Sequence, residues 1–304
     1  MRHISVVGAG AWGCALALHA SRAGHDVTLW VHTAPRASLP EQVAVTHDLT
    51  ALAGDVLLLA VPVQHMRRII PKLPAVPVVA CSKGVEAGSL RLPLEMLAEM
   101  RPELPLAVLS GPNFAHEIAA QLPAAAVVAS HDAAFREAVS HNLSTPRFRL
   151  YGGADPVGVQ VCGAAKNVIA IAAGAVMGAG LGENARAALV TRGLVELGRL
   201  AAALGGQSAT MAGLSGLGDL LLTCTSSSSR NYDLGFRIGQ GQTLADILAS
   251  RTSVTEGVAT APALVARGAG VDLPICRAVA ALLAGQTNLH QAMSDLLARP
   301  RGNE

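Results

Sequence analysis

Lys166 and Asn167 interrupt an almost wholly small and apolar stretch, DPVGVQVCGAAKNVIAIAAGAVMGAGLGENARAALVTRG over 155–193. An ammonium group among apolar residues costs free energy unless the fold uses it. Three readings are open. A membrane span needs ~18–20 apolar residues. The uncharged run from Val168 to Leu181 supplies 14. A core helix could instead let the lysine stem run along its surface to water. The chemical reading is a helix buried between two domains that presents Lys166 to a reacting carbonyl. There the ammonium would give a proton, and the neutral amine would take one back.

A second group of residues could hold a dinucleotide. Gly8-Ala9-Gly10-Ala11-Trp12-Gly13 follows the apolar run His3–Val7 and precedes the small-residue run Cys14–Ala23. This G-x-G-x-x-G therefore sits between a strand and a helix. Gly8 serves the tight turn, Gly10 lets backbone approach a pyrophosphate, and Gly13 lets the helix pack closely. A glycine-rich turn in some other α/β protein is the competing reading. The next strand, Asp26–Val31, ends without the acidic residue that usually binds a ribose 2′-hydroxyl. His32, Thr33 and Arg36 follow it instead, which favours a 2′-phosphate and hence NADP over NAD.

Two loops, Cys81-Ser82-Lys83-Gly84 and Ser110-Gly111-Pro112-Asn113, each directly follow an apolar strand. Further on, the serine tract 226–229 leads into Arg230-Asn231. A serine run is commonly a flexible surface loop, but a guanidinium beside an amide is also what grips a phosphate. Other chemistries lack their residues. His116-Glu117 has no second histidine for zinc, and no cysteine–histidine cluster has metal spacing. Leu214-Ser215-Gly216-Leu217-Gly218 misses the serine-hydrolase elbow, and there is no Walker-type loop. The reaction is expected to run on the dinucleotide, with no metal.

These groups need a scaffold, and the hydrophobic pattern supplies one. Strands are expected at Val56–Ala60, Val76–Ala80, Leu104–Leu109, Ala124–Ala129 and Arg147–Tyr151, with helices around 64–73, 89–100, 114–121 and 133–142. Strand–helix alternation implies an α/β Rossmann domain with a doubly wound parallel sheet, its ligands beyond the carboxyl ends of the strands. Past Asp155 only helical stretches remain, at 156–177, 184–204, 209–213, 243–250, 257–267, 274–284 and 289–298. The expected division is thus 1–153, dinucleotide-binding, and 154–304, all-α and catalytic.

The 304 residues suffice for two domains; 51% are hydrophobic and 14% charged, with net charge +2. That balance excludes a disordered chain and a nucleic-acid binder working through a basic surface. The five cysteines, 14, 81, 162, 224 and 276, are scattered and form no CxxC pair. They suit a reducing compartment. No signal-peptide core precedes the first glycines, so a soluble cytoplasmic protein without stable membrane insertion is expected.

Taken in order, GAGAWG at 8–13, SKG at 82–84, SGPNFAHEIA at 110–119, GAAKNVIAI at 163–171, GLGDLLLTCTSSSSRN at 216–231 and VTEG at 254–257 form a pattern. Over nearly its whole length the chain resembles the bacterial NAD(P)-dependent glycerol-3-phosphate dehydrogenase family. The resemblance implies interconversion of dihydroxyacetone phosphate and sn-glycerol 3-phosphate in phospholipid synthesis, by a homodimer. It makes Lys166 the catalytic lysine and assigns substrate contacts to Lys83, Gly111, Asn113, Lys166, Asp219, Ser229, Arg230 and Asn231. Cofactor contacts fall on Ala11, Trp12, His32, Lys83, Ala115, Arg230, Val254 and Glu256, beside Gly8, Gly10 and Gly13. Asn113 stands where the family commonly has Ser or Thr, and the loop after His32 is shorter than usual. The expected mechanism has Lys83 polarising the carbonyl while Asp219 and Asn167 orient Lys166. A ketopantoate or 2-hydroxyacid reductase on the same plan would not need Arg230-Asn231. A non-enzymatic dinucleotide sensor would not need Lys166.

Overall fold

The computed structural model describes residues 1–35, 37, 39–251 and 254–298, so Arg36 lies outside the described residues. Runs of Val, Ile, Leu and Ala form eight strands: β1 His3–Val7, β2 Asp26–Trp30, β3 Val43–Thr46, β4 Val56–Leu59, β5 Val78–Ala80, β6 Leu106–Ser110, β7 Ala124–Ala129 and β8 Phe148–Gly153. They lie in one sheet in the order β3-β2-β1-β4-β5-β6-β7-β8. The chain winds outward in both directions from β1 and β4, which opens a ligand crevice beyond their carboxyl ends.

Two features of the sheet depart from the sequence expectation. β3 was not foreseen; its four residues pair with β2 at the sheet edge, where two of them face solvent. The sheet is parallel except at β6–β7, which pair antiparallel. The connection between those strands carries only the five-residue helix α4, Ala115–Ala119. At ~1.5 Å per residue such a helix cannot carry the chain back along the sheet. The other helices of this half are α1 Ala11–Arg22, α2 Val63–Ile69, α3 Pro93–Met100 and α5 Ala133–Leu143.

Beyond β8 the described elements are helical: α6 Pro156–Gly178, α7 Glu183–Ala203, α8 Ser208–Met211, α9 Asp219–Thr225, α10 Arg230–Gly239, α11 Leu244–Ala249, α12 Glu256–Arg267, α13 Pro274–Leu283 and α14 Leu289–Leu297. α6 starts as its sequence requires, with Pro156 at the first position and the Asp155 carboxylate accepting from Gly158 N at 2.8 Å. By length and composition α6 could cross a membrane, yet 89% of its most apolar window is buried. Helices α7, α9, α10, α12 and α13 pack around it.

Among the helices, α9 and α10 were not expected from the sequence. Gly235 and Gly239 look like helix breakers, but a side chain at Gly235 would put its Cβ 1.9 Å from Ile171 O on α6. The relation is reciprocal: a Cβ at Gly174 would stand 2.0 Å from Tyr232 O, and one at Gly178 2.0 Å from Phe236 O. Two small-xxx-small stripes thus let the α6 and α10 backbones touch.

Candidate active site

Asp219 opens α9 directly after a π-helical turn over Leu214–Gly218. The turn is tight, since a Cβ at Gly216 would lie 2.3 Å from Met211 O. It delivers a carboxylate with no solvent exposure into the space between α6 and the end of β5. Lys166 Nζ donates to Asp219 Oδ1 at 2.6 Å, and Lys83 Nζ donates to Asp219 Oδ2 at 2.6 Å. One buried carboxylate therefore carries both lysines. Lys166 also donates to Thr223 Oγ1 at 2.8 Å, and that hydroxyl donates to Asp219 O at 2.6 Å. Lys83 donates to Gly111 O at 2.9 Å.

The geometry rules out the snorkelling reading, because Lys166 is 8% exposed and its head is bonded inside the protein. Burial pushes the Lys166 ammonium down to about 8; Asp219 opposes that shift and Lys83 adds to it. An ammonium has three N–H donors. Two are committed on each lysine, so each keeps one N–H for a ligand. Gly163, one turn before Lys166, gives Lys83 its room: a Cβ there would stand 3.2 Å from Lys83 Cγ and from Ser110 Oγ.

Asn167 does not orient Lys166, as had been expected. Its Oδ1 accepts from Asn231 Nδ2 at 2.9 Å, and Asn231 Oδ1 accepts from Gly257 N at 2.9 Å. Adjacent helical residues point about 100° apart, so Lys166 and Asn167 cannot serve one partner. Asn167 instead fastens the starts of α10 and α12 to α6. Ser229 is the N-cap of α10 and accepts from Tyr232 N at 3.2 Å. Arg230 is exposed, and its Nη1 donates to Val254 O at 2.7 Å. The serine tract thus ends on the N-terminus of a ten-residue helix, where N–H groups and the helix dipole attract anions.

The glycine turn has the geometry that its spacing implies. Gly8 has φ +109°, and a Cβ at Gly13 would fall 1.7 Å from Gly8 O. A Cβ at Gly10 would meet nothing within 4 Å, which leaves that backbone open to a pyrophosphate. Ala11 begins α1, and Trp12 Nε1 donates to Cys81 O at 3.0 Å, joining this turn to the Lys83 loop. Ala115 begins α4. His32 is exposed beyond β2, its ring 6.1 Å from that of Trp30. Three strand spacings, about 14 Å, separate β2 from β5, so His32 faces a different part of any ligand than Lys83 does.

Buried polar atoms without a partner also converge here. Among the described residues there are seven such side-chain atoms, and five belong to Ser110, Asn113 (two), Glu256 and Thr260. Glu256 Oε2 and Thr260 Oγ1 both approach Gly84, at 3.5 and 2.9 Å from where its Cβ would be. Burial pushes the Glu256 carboxyl up to about 7. A fold tolerates orphaned polar groups mainly where a ligand or water completes them, so these residues fit a bound dinucleotide and a polar substrate. Thr223 and Thr260 were missed in the sequence. Each lies four residues after a site carboxylate, on the same helix face, and that spacing was the available signal.

Comparison with known proteins follows the same lines. The family model described as NAD-dependent glycerol-3-phosphate dehydrogenase N-terminus matches residues 3–136, and the corresponding C-terminus model matches 155–294. The glycerol-3-phosphate dehydrogenase (NAD(P)+) of Gluconobacter oxydans (strain 621H) is 52% identical, covering 99% of this chain and 98% of its own. That of Caulobacter vibrioides is 47% identical over 98% and 97%. The crystal structure of glycerol-3-phosphate dehydrogenase from Coxiella burnetii superposes with a TM-score of 0.92 at 35% identity, covering 98% of this chain and 99% of that one.

Proposed function

The chain belongs to the NAD-dependent glycerol-3-phosphate dehydrogenase family, and from that premise we propose that it interconverts dihydroxyacetone phosphate and sn-glycerol 3-phosphate with NADPH or NADH. The observation that carries this reading is the buried Lys83–Asp219–Lys166 bridge, with one N–H left on each lysine. When bound, the nicotinamide supplies the hydride. Lys166 gives its remaining proton to the C2 oxygen as alkoxide character develops there, and Lys83 polarises that oxygen. Asp219 holds both ammonium groups in place. The α10 N-terminus, with Ser229, Arg230 and Asn231, takes the phosphate and spends remote binding energy on orientation. Gly111 acts through Lys83.

The residues that would hold the dinucleotide are Gly8, Gly10, Ala11, Trp12 and Gly13, together with Ala115, Val254 and Glu256. The two units divide near residue 153, and the product feeds phospholipid synthesis. We further propose a cytoplasmic homodimer that needs no nucleic acid and no membrane insertion. A ketopantoate-type reductase has no phosphate to place at α10, so the N-capped Arg230-Asn231 end favours the phosphorylated substrate.

Oxidation of NADPH followed by absorbance, with and without dihydroxyacetone phosphate, tests the activity directly. Its pH dependence tests Lys166. Reduction needs the ammonium, so kcat/KM for dihydroxyacetone phosphate should fall as pH rises through about 8. Oxidation of glycerol 3-phosphate needs the neutral amine and should rise through the same range. Profiles flat in both directions from pH 7 to 9.5 would remove Lys166 from proton transfer.

His32 carries the cofactor choice. With no acid after Trp30, His32→Asp should supply a partner for the ribose 2′-hydroxyl and repel a 2′-phosphate. The NADPH-to-NADH ratio of kcat/KM should drop by about tenfold or more, the equivalent of ~1.4 kcal/mol. An unchanged ratio would place cofactor discrimination elsewhere.

A further inference from the structure

We infer that Asn113 reads the C1 hydroxyl of the three-carbon substrate. This rests on the dihydroxyacetone phosphate reading above and goes beyond it by assigning the substrate's third functional group. Both polar atoms of the Asn113 carboxamide, Nδ2 and Oδ1, are buried without a partner among the described residues. A buried donor or acceptor is destabilising if nothing completes it.

The loop that carries Asn113 is fixed against the catalytic cluster. Gly111 O holds Lys83 at 2.9 Å, and Ser215 Oγ donates to Ser110 O at 3.4 Å. Pro112 Cγ lies 3.6 Å from where a Cβ on Gly218 would stand, the residue just before Asp219. A side chain at Gly111 would drive into Ala126 Cα at 2.9 Å, so the loop backbone lies close on β7. Asn113 therefore follows directly on two loop residues that meet the cluster, Gly111 bonded to Lys83 and Pro112 packed beside the residue before Asp219.

Elimination then names the group it faces. The substrate offers a phosphate, an oxygen at C2 and a hydroxyl at C1. A phosphate dianion and a ketone oxygen only accept hydrogen bonds, and they are served by the α10 N-terminus and by Lys166 with Lys83. Asn113 brings one donor and one acceptor. Its Oδ1 would repel either of the accepting groups. A hydroxyl both donates and accepts, and the C1 hydroxyl is the substrate's remaining group.

The test deletes each side of the contact in turn. Acetonyl phosphate is dihydroxyacetone phosphate without the C1 hydroxyl. The wild-type enzyme should prefer dihydroxyacetone phosphate by about 10²-fold or more in kcat/KM, since a site built to bond a hydroxyl rejects the analogue lacking it. In Asn113→Leu, which keeps the branched shape but loses both polar atoms, that preference should collapse to within about tenfold. Asn113→Ala, which cannot overpack, should show the same collapse if the leucine variant folds poorly. NADPH affinity, titrated by fluorescence without substrate, should be unchanged in both variants. A variant that slows both substrates equally overturns the inference. So does a weakened NADPH affinity, which would place the carboxamide on the nicotinamide. A wild-type protein inert towards dihydroxyacetone phosphate would instead overturn the functional reading itself.

Discussion

Lys166→Met is expected to lower turnover by about 10²–10⁴, the usual cost of losing a general acid, while the protein keeps its fold and binds NADPH. The stability half of this expectation follows from the cluster's charge. With both lysines protonated, the buried group of Lys83, Lys166 and Asp219 carries a net positive charge. Removing Lys166 leaves Lys83 paired with Asp219 at 2.6 Å, so no buried carboxylate is stranded. A stranded charge is what makes broken buried pairs so destabilising. The sign of the pH dependence can also be stated. Folding lowers the Lys166 value from 10.5 to about 8. Between those values the unfolded chain binds more protons, so wild-type stability gains a rising contribution with pH that the methionine variant lacks. Any stability advantage of the variant below pH 8 should therefore shrink by pH 10.5. A melting curve at several pH values and the NADPH oxidation rate at saturating substrate are the measurements. A folded variant that turns over within a few-fold of wild type would end the proton-donor assignment.

Gly235→Ala should destabilise the protein by about 1–3 kcal/mol or more, the range for overpacking a tight interior. Its Cβ would meet the Ile171 carbonyl oxygen at 1.9 Å. That atom is backbone of another helix, so no rotamer change relieves the clash and α10 must move off α6. The movement reaches the site, because Asn231 sits one turn earlier on α10 and is bonded to Asn167 on α6. KM for dihydroxyacetone phosphate should rise along with the loss of stability. Gly198→Ala is the matched control. It also lies inside a helix, but the nearest atom to its Cβ is Met211 Cγ at an ordinary 3.7 Å. There alanine should stabilise by about 0.5–1 kcal/mol, because glycine carries an entropic penalty in a helix interior. The same substitution is thus expected to have opposite signs in two helices, read as melting temperatures above and below wild type. If Gly235→Ala melted with Gly198→Ala, the backbone contact between α6 and α10 would not exist in solution.

The glycine turn was largely legible in the sequence. Gly8, Gly10 and Gly13 depend on a turn of six residues between a strand and a helix. Each has the conformation or clearance that the spacing implies. The opening of α6 was equally readable, because Asp155 and Pro156 act on the first turn that follows them. The alternation of strands and helices gave the α/β class, with the all-helical run after Asp155. These signals are local, set by sterics and hydrogen bonds within a few residues.

What failed was long-range. β3 gains its stability from a neighbour rather than from its own four residues. α10 reads as broken by Gly235 and Gly239 until α6 lies against it. The Lys83–Asp219–Lys166 cluster is the plainest case. Lys83 and Asp219 are 136 residues apart, and Lys166 and Asp219 are 53 apart. No spacing rule connects them; the family resemblance named all three without showing that one carboxylate holds both lysines. The sequence by itself determined which groups are present and which local turns carry them. The tertiary structure decided their partners: it made Asn167 a tether for Asn231, and it buried Lys166 deeply enough to push its ammonium down to about 8. Burial and pairing depend on what packs from distant parts of the chain, and only the folded arrangement of α6, α9 and α10 against the sheet supplies it.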